Sequence, residues 1–378
     1  MDKLGPSLRR RFLLEPGTVF LNHGSFGTTP RSVLAAAARW QRRMEANPDR
    51  FMREILPGAL RQAARSLGHF LNVDEKDLVF VENATAGTNA VLRSLRFRPG
   101  DEILSTSHGY NAVRQAIRFV CERSGAKSVE IRFGLPVANF DFLLREIRTR
   151  INGKTRLLVI DHISSPTGLI FPVRRIAALA RSRGVPVLVD GAHAPGQIAL
   201  DIDALGVDWY TGNCHKWLFA PKGSGFLWAR ASAQRPLHPV QISHGYGKGL
   251  AAEFDWPGTR DFSAWLAVPE ALAFFKRLKP SRLRNYNHQL VTDWTQRLAE
   301  AWGEPVDAPP ALHGSMTAVR LPPRLQRSSA AEVMTRLLAR HRTVIAVNSI
   351  GGVLWARLSA QVYSGARDID RLMTIARQ

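Results

Sequence analysis

Lys216 stands in the string TGNCHKWLFAPKGSG, directly after a strand-like run. The amine of a lysine at the end of a rigid element can hold an aldehyde cofactor as a Schiff base. A lysine by itself does not distinguish this chemistry from a surface residue beside a turn. The chemical interpretation therefore depends on a second group with a matching role.

Asp190 ends the apolar run VPVLVD, 26 residues before Lys216. In α/β sheets, the carboxyl ends of parallel strands present side chains to ligands. A carboxylate there would keep a pyridine nitrogen protonated, so that the ring accepts electrons from a carbanion at the substrate Cα. His193 follows in DGAHA and would reach the phenolate oxygen of such a cofactor. Alone, the carboxylate could be a strand-end cap and the histidine a core residue, but together with the lysine they favour catalysis.

A phosphate site is indicated where the apolar strand at residues 78–81 turns into a helix through Asn83, Ala84 and Thr85. Backbone N–H groups at a helix start bind phosphate, and a nearby hydroxyl adds a donor. An ordinary Asn or Thr helix cap has the same pattern. The segment therefore indicates phosphate binding only in combination with the lysine and the carboxylate.

The elements that must position these residues alternate between strand and helix over most of the chain. Strand-like runs such as RLLVIDHIS and VPVLVD are separated by helical stretches such as VRRIAALARSRG. This rhythm predicts a largely parallel sheet with helices on both faces, and a ligand site at the carboxyl ends of its strands.

The last third of the chain has a different pattern. His238 to Thr259 is irregular and rich in Gly, Pro and aromatic residues, which is typical of a loop that crosses between domains. From Phe262 onward, long helices and short strands predict a smaller α+β domain. We therefore predict an α/β protein with a large domain at residues 17–255 and a small domain formed by residues 1–16 and 256–378.

The composition is that of a folded enzyme, with 45% hydrophobic and 22% charged residues over 378 positions. Lys and Arg outnumber Asp and Glu by 52 to 31, which gives a net charge of +21. Basic residues such as Arg174 and Arg175 are scattered along amphipathic segments, whereas nucleic-acid-binding proteins gather them into a stripe. A non-catalytic, basic nucleic-acid-binding scaffold is therefore the disfavoured alternative.

Two cysteines, Cys121 and Cys214, are too few for a disulfide framework or a multi-cysteine metal site, so we expect no metal. The opening LRRRFLL superficially resembles an export signal, but residues 15–17 (EPG) end it before any apolar segment. No apolar run approaches the roughly 20 residues that span a bilayer. The sequence predicts a soluble cytoplasmic protein without a membrane partner.

Five strings follow one another along the chain: VFVENATAGTNAVL, DHISSPTGLIFPV, VLVDGAHAPGQIALD, GNCHKWLFAPKGSGFLW and WARLSAQVYS. In this order and spacing they resemble the class V aminotransferase family of fold-type I pyridoxal phosphate enzymes. Within it, LNHGSFGTTP with EANPDRFMREILPGAL is similar to the branch that contains isopenicillin N epimerase and related C–S lyases. The resemblance runs from about residue 17 to the C-terminus, and DGAHA followed by HKWL is specific.

The resemblance implies pyridoxal 5'-phosphate as the cofactor and a role for each matching position. Lys216 would be the Schiff-base lysine and Asp190 the partner of the pyridine nitrogen. Tyr110 would stack on the ring face, where any flat π-system serves. The other implied contacts are the phosphate ligands Ala84, Thr85, Asn213 and His215, and the phenolate neighbours Ser165 and His193.

The remaining implied roles concern the substrate and a second subunit. Arg357 in WARLS matches the arginine that clamps the substrate's α-carboxylate, although an exposed strand arginine would look the same. Asn22 and His23 are expected on the substrate side, with a structural turn as the alternative. Thr259 in WPGTRD matches a threonine that reaches the phosphate of the neighbouring subunit, which implies a homodimer.

One departure from the family pattern is informative. Cysteine desulfurases of the family carry a nucleophilic cysteine shortly before the clamp arginine, but HRTVIAVNSIGGVLWAR contains none. Cys214 lies beside Lys216 and Cys121 lies in a predicted helix. The sequence therefore disfavours persulfide-forming desulfuration.

We predict an enzyme that removes a proton at the Cα of an amino-acid substrate, with Lys216 as the main acid and base. β-Elimination by a C–S lyase ranks first, epimerisation second and transamination third. A two-base epimerase would need Tyr110 or a histidine such as His23, because no second lysine accompanies Lys216 in its motif. Elimination needs only Lys216.

Overall fold

The computed structural model describes residues 3–376. Within this range the strands are β1 (Val19–Phe20), β2 (Leu78–Val81), β3 (Glu102–Thr106), β4 (Lys127–Ile131), β5 (Thr155–Asp161), β6 (Val187–Asp190), β7 (Trp209–Asn213), β8 (Gly225–Ala229), β9 (Met316–Arg320), β10 (Thr343–Val344), β11 (Ala346–Ile350) and β12 (Val353–Ser359). The helices are α1 (His23–Phe26), α2 (Arg31–Ala46), α3 (Pro48–Arg50), α4 (Leu56–Leu71), α5 (Ala84–Ser94), α6 (Asn111–Ser124), α7 (Asp141–Arg150), α8 (Val173–Arg181), α9 (Leu250–Phe254), α10 (Ser263–Leu266), α11 (Val268–Arg277), α12 (Pro280–Trp302), α13 (Ala330–His341) and α14 (Asp370–Met373).

Seven strands form the central sheet in the order β2-β8-β7-β6-β5-β3-β4 within the described residues. β3 is parallel to β4 and β5, β5 to β6, and β6 to β7. Only β8 runs antiparallel to its neighbours β2 and β7. The predicted largely parallel sheet is therefore confirmed, and its carboxyl edge gathers the ends of β5, β6 and β7.

Helices cover both faces of this sheet, because successive strand residues point to opposite sides. Along β2, Leu78 and Phe80 belong to one buried core, and Val79 and Val81 belong to the other. The first core includes residues of α4, α8 and α11. The second includes residues of α5 and α6. Burial on both faces explains why these strands are apolar throughout.

A smaller antiparallel sheet, in the order β11-β12-β9, packs with α12 and α13 around a separate core. The N-terminal segment is tied to this region, since β1 pairs with β10 and Asn22 forms a bridge with Ser359. Leu8 and Phe12, by contrast, pack in the main core. The α/β class with a smaller α+β part is confirmed, and the domain boundaries stay a prediction.

Some short elements were not predicted. The irregular segment from His238 to Thr259 contains the short helix α9, and β11 (Ala346–Ile350) precedes the predicted strand GVLWARLS. Both are short and depend on partners elsewhere: α9 packs on β2, and β11 pairs with β12. None of the helices in residues 3–376 is long and apolar enough to cross a membrane.

Close packing sets the position of α5 on the sheet. A Cβ atom built on Gly87 would lie 2.3 Å from Thr211 Oγ1 of β7. Glycine at this helical position therefore lets the start of α5 approach the strand that leads to Lys216.

We expect Gly87→Ala to destabilise the protein by about 1–3 kcal/mol, because the new methyl group forces buried atoms apart. Gly58 of α4 is the matched control, since it is also helical, and a Cβ there meets nothing within 4 Å. Gly58→Ala should stabilise by about 0.5–1 kcal/mol through helix propensity. The midpoint of urea unfolding measures both changes, and equal midpoints for the two variants would contradict the packing argument.

Candidate active site

A cavity of about 440 Å³ lies at the carboxyl edge of the central sheet. Its lining includes Thr85 at the start of α5, Asp190 at the end of β6, and Lys216 in the turn that follows β7. Tyr110 and Asn213 also border it. The fold thus brings to one place residues from four separate strand ends, as expected for an α/β sheet.

Lys216 is buried, with 8% of its surface exposed. Its Nζ lies 3.0 Å from His193 Nε2. Burial, reinforced by the positive charge of Arg357, lowers the pKa of Lys216 to about 7, although the carboxyls of Asp190 and Asp161 act in the opposite direction. A large share of this amine is therefore unprotonated at neutral pH and able to attack an aldehyde.

Asp190 has a buried neighbour that sequence reasoning missed. Asp161 ends β5 and stands directly beside Asp190 in the strand register. Burial, and next the charge of Asp190, raise the pKa of Asp161 well above its ordinary value. Two adjacent buried carboxyls do not both ionise readily, and Asp161, whose pKa is raised further than that of Asp190, is the member of the pair that more readily holds a proton. The sequence does contain a signal for Asp161: the apolar run RLLVID ends with an aspartate, just as VPVLVD ends with Asp190.

Asp190 is placed to bind a ligand. Burial raises its pKa, but the Ala192 N–H and the positive charge of Lys216 lower it. The Ala192 N–H donates to Oδ1 at 2.9 Å. The other carboxylate oxygen has no hydrogen-bond donor among the described residues, and the side chain lines the cavity.

His193 lies between the lysine and Ser165. Its Nε2 is 3.0 Å from Lys216 Nζ and 3.3 Å from Ser165 Oγ. Burial, followed by the charges of Lys216 and Arg357, lowers the pKa of His193 well below its ordinary value. The imidazole is therefore neutral at physiological pH.

The start of α5 forms the candidate phosphate site. The Ala84 N–H donates to Asn213 Oδ1 at 2.9 Å, and the Ala86 N–H donates to Asn83 Oδ1 at 2.9 Å. The Thr85 N–H has no acceptor among the described residues and borders the cavity. Asn213 therefore braces the helix start, and Thr85 is free to bind an anion there.

His215 and Tyr110 both line the cavity. His215 Nδ1 is 3.0 Å from the Ser224 carbonyl oxygen, and burial lowers the pKa of His215 to about 4. Tyr110 precedes α6 and is 43% exposed, with its ring centroid 5.9 Å from Lys216 Nζ. Its ring therefore stands close to the amine with an open face, which suits stacking on a planar cofactor.

Arg357 reaches the cavity region from β12 and is 3% exposed, so the alternative of an exposed strand arginine is wrong. Its Nη1 donates to the Ser165 carbonyl oxygen at 2.6 Å, and its Nη2 donates to Asn22 Oδ1 at 2.8 Å and Ser25 Oγ at 2.7 Å. Burial lowers its pKa to about 10, so it stays charged. It has no carboxylate partner in residues 3–376, and its Nε lacks a hydrogen bond. A buried cation of this kind favours an anionic ligand.

The pair Asn22 and His23 separates into two roles. Asn22 orients Arg357 by accepting a hydrogen bond from its Nη2. His23 is fully buried, with Nδ1 2.9 Å from Tyr363 Oη and Nε2 2.9 Å from the Lys216 carbonyl oxygen. Burial lowers the pKa of His23 to about 3. These contacts favour the structural alternative for His23, which holds the backbone of the lysine.

Thr259 does not line this cavity. It is exposed in a loop, and the next residue, Arg260, pairs with Glu82 just before the candidate phosphate site. Neither cysteine is exposed: burial raises the pKa of both Cys121 and Cys214. No group of three or more His, Cys, Asp or Glu side chains in the described part of the chain could hold a metal ion.

The residues fit a cofactor that combines an aldehyde, a pyridine ring and a phosphate. A buried amine with a lowered pKa stands next to a buried carboxylate with an unsatisfied oxygen, and a helix start offers a free N–H on the same cavity. An α/β sheet with this arrangement defines a pyridoxal phosphate enzyme of fold type I.

Comparison with known proteins identifies the family. The family model "Aminotransferase class-V" matches residues 19–372. The chain therefore belongs to the class V aminotransferase family. Its cofactor is pyridoxal 5'-phosphate, as the family and the residues at the cavity indicate.

Two relatives and one solved structure illustrate the similarity. "Putative L-cysteine desulfhydrase 1" of Oryza sativa subsp. japonica is 36% identical over 95% of this chain and 82% of that protein. "Isopenicillin N epimerase" of Streptomyces clavuligerus is 36% identical over 96% of this chain and 95% of that protein. A mutant of C-DES with glycine covalently linked to its PLP cofactor has a TM-score of 0.84 at 20% identity, covering 97% of this chain and 98% of that one, which shows the shared fold.

We expect purified protein reconstituted with pyridoxal phosphate to absorb in the near-visible, and borohydride to fix the cofactor to Lys216. Lys216→Ala should abolish the covalent link, because it removes the buried amine whose lowered pKa makes it the attacking group. Lys222→Ala is the control, since Lys222 borders the same cavity and lies in the same loop. Mass spectrometry of the reduced peptides identifies the modified residue, and modification of Lys222 in place of Lys216 would refute the assignment.

Proposed function

We propose that this protein is a C–S lyase that cleaves β-substituted amino acids derived from cysteine. The observation that carries the proposal is that burial lowers the pKa of Lys216 to about 7, whereas both ring nitrogens of His23 are engaged by Tyr363 and by the lysine backbone. The cavity therefore has one buried amine suited to proton transfer, and His23 offers no free nitrogen for a second. Elimination needs a single acid and base, since the proton and the leaving group depart from adjacent carbons. The names of the plant relatives, which are L-cysteine desulfhydrases, support the same reaction class.

Arg357 would bind the substrate's α-carboxylate. Its two terminal nitrogens are aimed by Ser165, Asn22 and Ser25, so the planar fork has one preferred orientation. A carboxylate would also neutralise a buried charge that lacks a partner within the described residues. The clamp would thus orient the Cα–H bond toward the lysine.

Lys216 would remove the Cα proton, and Asp190 would hold a positive charge on the ring nitrogen. When bound, the cofactor supplies an electron-withdrawing ring that makes the Cα proton acidic. The C–S bond of the substrate then breaks, the sulfur leaves as a thiolate, and hydrolysis of the three-carbon remainder gives pyruvate and ammonia. The protonated Asp161 beside Asp190 would confine the negative charge to one carboxylate.

Epimerisation is the second candidate, because one relative is an isopenicillin N epimerase at 36% identity. It requires an acid on the face of the substrate opposite Lys216. His23 is disfavoured for this role, since burial lowers its pKa to about 3 and both ring nitrogens are bonded. Tyr110, whose ring stands 5.9 Å from Lys216 Nζ, would be the remaining group. Transamination ranks third.

We further propose that the protein does not form a persulfide. The hairpin of β11 and β12 before Arg357 carries no cysteine. Cys214 and Cys121 are buried, and burial raises the pKa of each thiol, which disfavours the reactive thiolate.

The predicted cytoplasmic location stays a prediction.

A homodimer is proposed from the exposed surface beside the cavity. Val240, Ile242 and Tyr246 are between 45% and 62% exposed, and a neighbouring hollow of about 360 Å³ has a mostly apolar lining that includes Pro257. Thr259 is exposed in the adjacent loop. A second copy covering this surface would bury it and bring its own Thr259 to the phosphate site.

We expect holoenzyme to convert S-substituted cysteines into pyruvate and ammonia in equal amounts. Arg357→Ala should raise KM, lower kcat and reduce kcat/KM by about 100-fold, since a lost charged hydrogen-bonded pair is worth about 3 kcal/mol. Arg357→Lys, which keeps the charge without the fork, is the matched variant and should recover only part of the activity. Coupled assays measure both products.

The contrary result would be deuterium exchange at Cα with inversion and no pyruvate from any such substrate. That outcome would place epimerisation first.

We expect the protein to be a dimer by light scattering. Thr259→Ala should weaken the retention of pyridoxal phosphate. It should leave the thermal stability of the cofactor-free protein unchanged, because the residue is exposed in the single subunit. Ser232→Ala, an exposed hydroxyl away from the loop, serves as the control. A monomer that holds the cofactor tightly would refute the composite site.

A further inference from the structure

Trp217 follows Lys216 directly and is 1% exposed. Its indole Nε1–H donates to His193 Nδ1 at 3.3 Å. The other ring nitrogen of His193 lies 3.0 Å from Lys216 Nζ and 3.3 Å from Ser165 Oγ. Each nitrogen of this buried imidazole therefore faces a defined partner.

The donor and acceptor roles of these groups determine where the histidine proton resides. An indole N–H can donate but cannot accept, so His193 Nδ1 must accept and carries no proton. The ring is neutral, because burial and nearby positive charge lower the pKa of His193 well below its ordinary value. A neutral imidazole has one N–H, which must then lie on Nε2.

The Nε2–H group has two neighbours, and the lysine amine at 3.0 Å is nearer than Ser165 Oγ at 3.3 Å, so the hydrogen bond to the lysine is the shorter one. A neutral amine has a lone pair that accepts this hydrogen bond, whereas an ammonium group has none and would meet the N–H with its own protons. The opposite tautomer would present a lone pair to the lysine and favour the ammonium form. The tautomer of His193 thus biases the protonation of Lys216.

We propose that Trp217 is a positioning residue: its indole N–H holds His193 in the Nε2–H tautomer, and this tautomer keeps the Lys216 amine unprotonated and ready to bond the cofactor aldehyde. The proposal uses Lys216 as the cofactor amine and does not depend on the elimination reaction. Trp217, which in this proposal controls the protonation of Lys216, thus directly follows the lysine in the sequence.

Trp217 also packs, which determines the choice of variant. Its ring centroid lies 5.1 Å from that of His23, and a Cβ on Gly24 would be 3.4 Å from its six-membered ring. Trp217→Phe keeps an aromatic ring and removes the N–H. Trp302→Phe is the matched control, because Trp302 is also buried and donates its Nε1–H to the Leu372 carbonyl oxygen in the separate C-terminal core.

The first experiment measures the rate at which the full-length, cofactor-free protein captures pyridoxal phosphate as a function of pH. In Trp217→Phe the apparent pKa of the reacting amine should rise by about one unit, so capture at a pH of about 7 should slow about fivefold. The two rates should converge at alkaline pH, where both amines are neutral. Loss of packing alone would lower the rate at every pH, and the Trp302→Phe profile should equal that of the wild type.

The second experiment reads the tautomer directly by nitrogen NMR of the full-length, cofactor-free protein with isotope-labelled histidine, with the His193 signals assigned from His193→Gln. The wild type should carry the proton on Nε2, and Trp217→Phe should populate the Nδ1–H form. A wild-type proton on Nδ1 would overturn the proposal even if Trp217→Phe fails to fold, and so would an unchanged pH profile in a folded Trp217→Phe. Neither measurement uses an amino-acid substrate, so a failure of the lyase assignment would be seen separately, in the pyruvate assay.

Discussion

The structure depends on one constraint: the fold buries several ionisable groups together, and these groups must share protons and charge without the help of water. Asp161, Asp190, Lys216, His193 and Arg357 are all buried at or near one edge of the sheet. Because burial penalises every charged form, the groups cannot all keep their ordinary charges. Burial raises the pKa of both carboxyls, that of Asp161 further than that of Asp190, and lowers the pKa of Lys216 to about 7, while His193 is neutral and Arg357 stays charged.

That distribution of charge matches the chemistry of a pyridoxal phosphate enzyme. A neutral amine attacks an aldehyde, a charged carboxylate supports a protonated ring nitrogen, and a charged guanidinium binds a carboxylate. The neutral His193 can stand 3.0 Å from the amine without repelling it. The pKa shifts of these groups therefore agree with the roles proposed for them, and neighbouring residues in the same cluster cause the shifts.

The backbone makes this cluster possible by close approach. Gly87 lets α5 lie against β7, and a Cβ on Gly191, directly after Asp190, would lie 2.1 Å from Tyr210 Cε1. Hydrogen bonds then join segments distant in the chain, such as His23 to the Lys216 carbonyl oxygen and Asn22 to Arg357. The N-terminal segment thus contacts both the backbone of the lysine and the side chain of the arginine.

The sequence by itself determined the alternating elements, the parallel sheet, and the grouping of Lys216, Asp190 and Thr85 at its carboxyl edge. These features are local, because apolar periodicity and a residue's position at a strand end are encoded within short stretches of chain. Only the tertiary structure decided that Asp161 is buried beside Asp190 and that Arg357 is buried. It also decided that His23 contacts the lysine backbone and that Trp217 donates a hydrogen bond to His193. Strand register, burial and the direction of a side chain arise from contacts between segments far apart in sequence, and these contacts set the proton positions on which the chemistry depends.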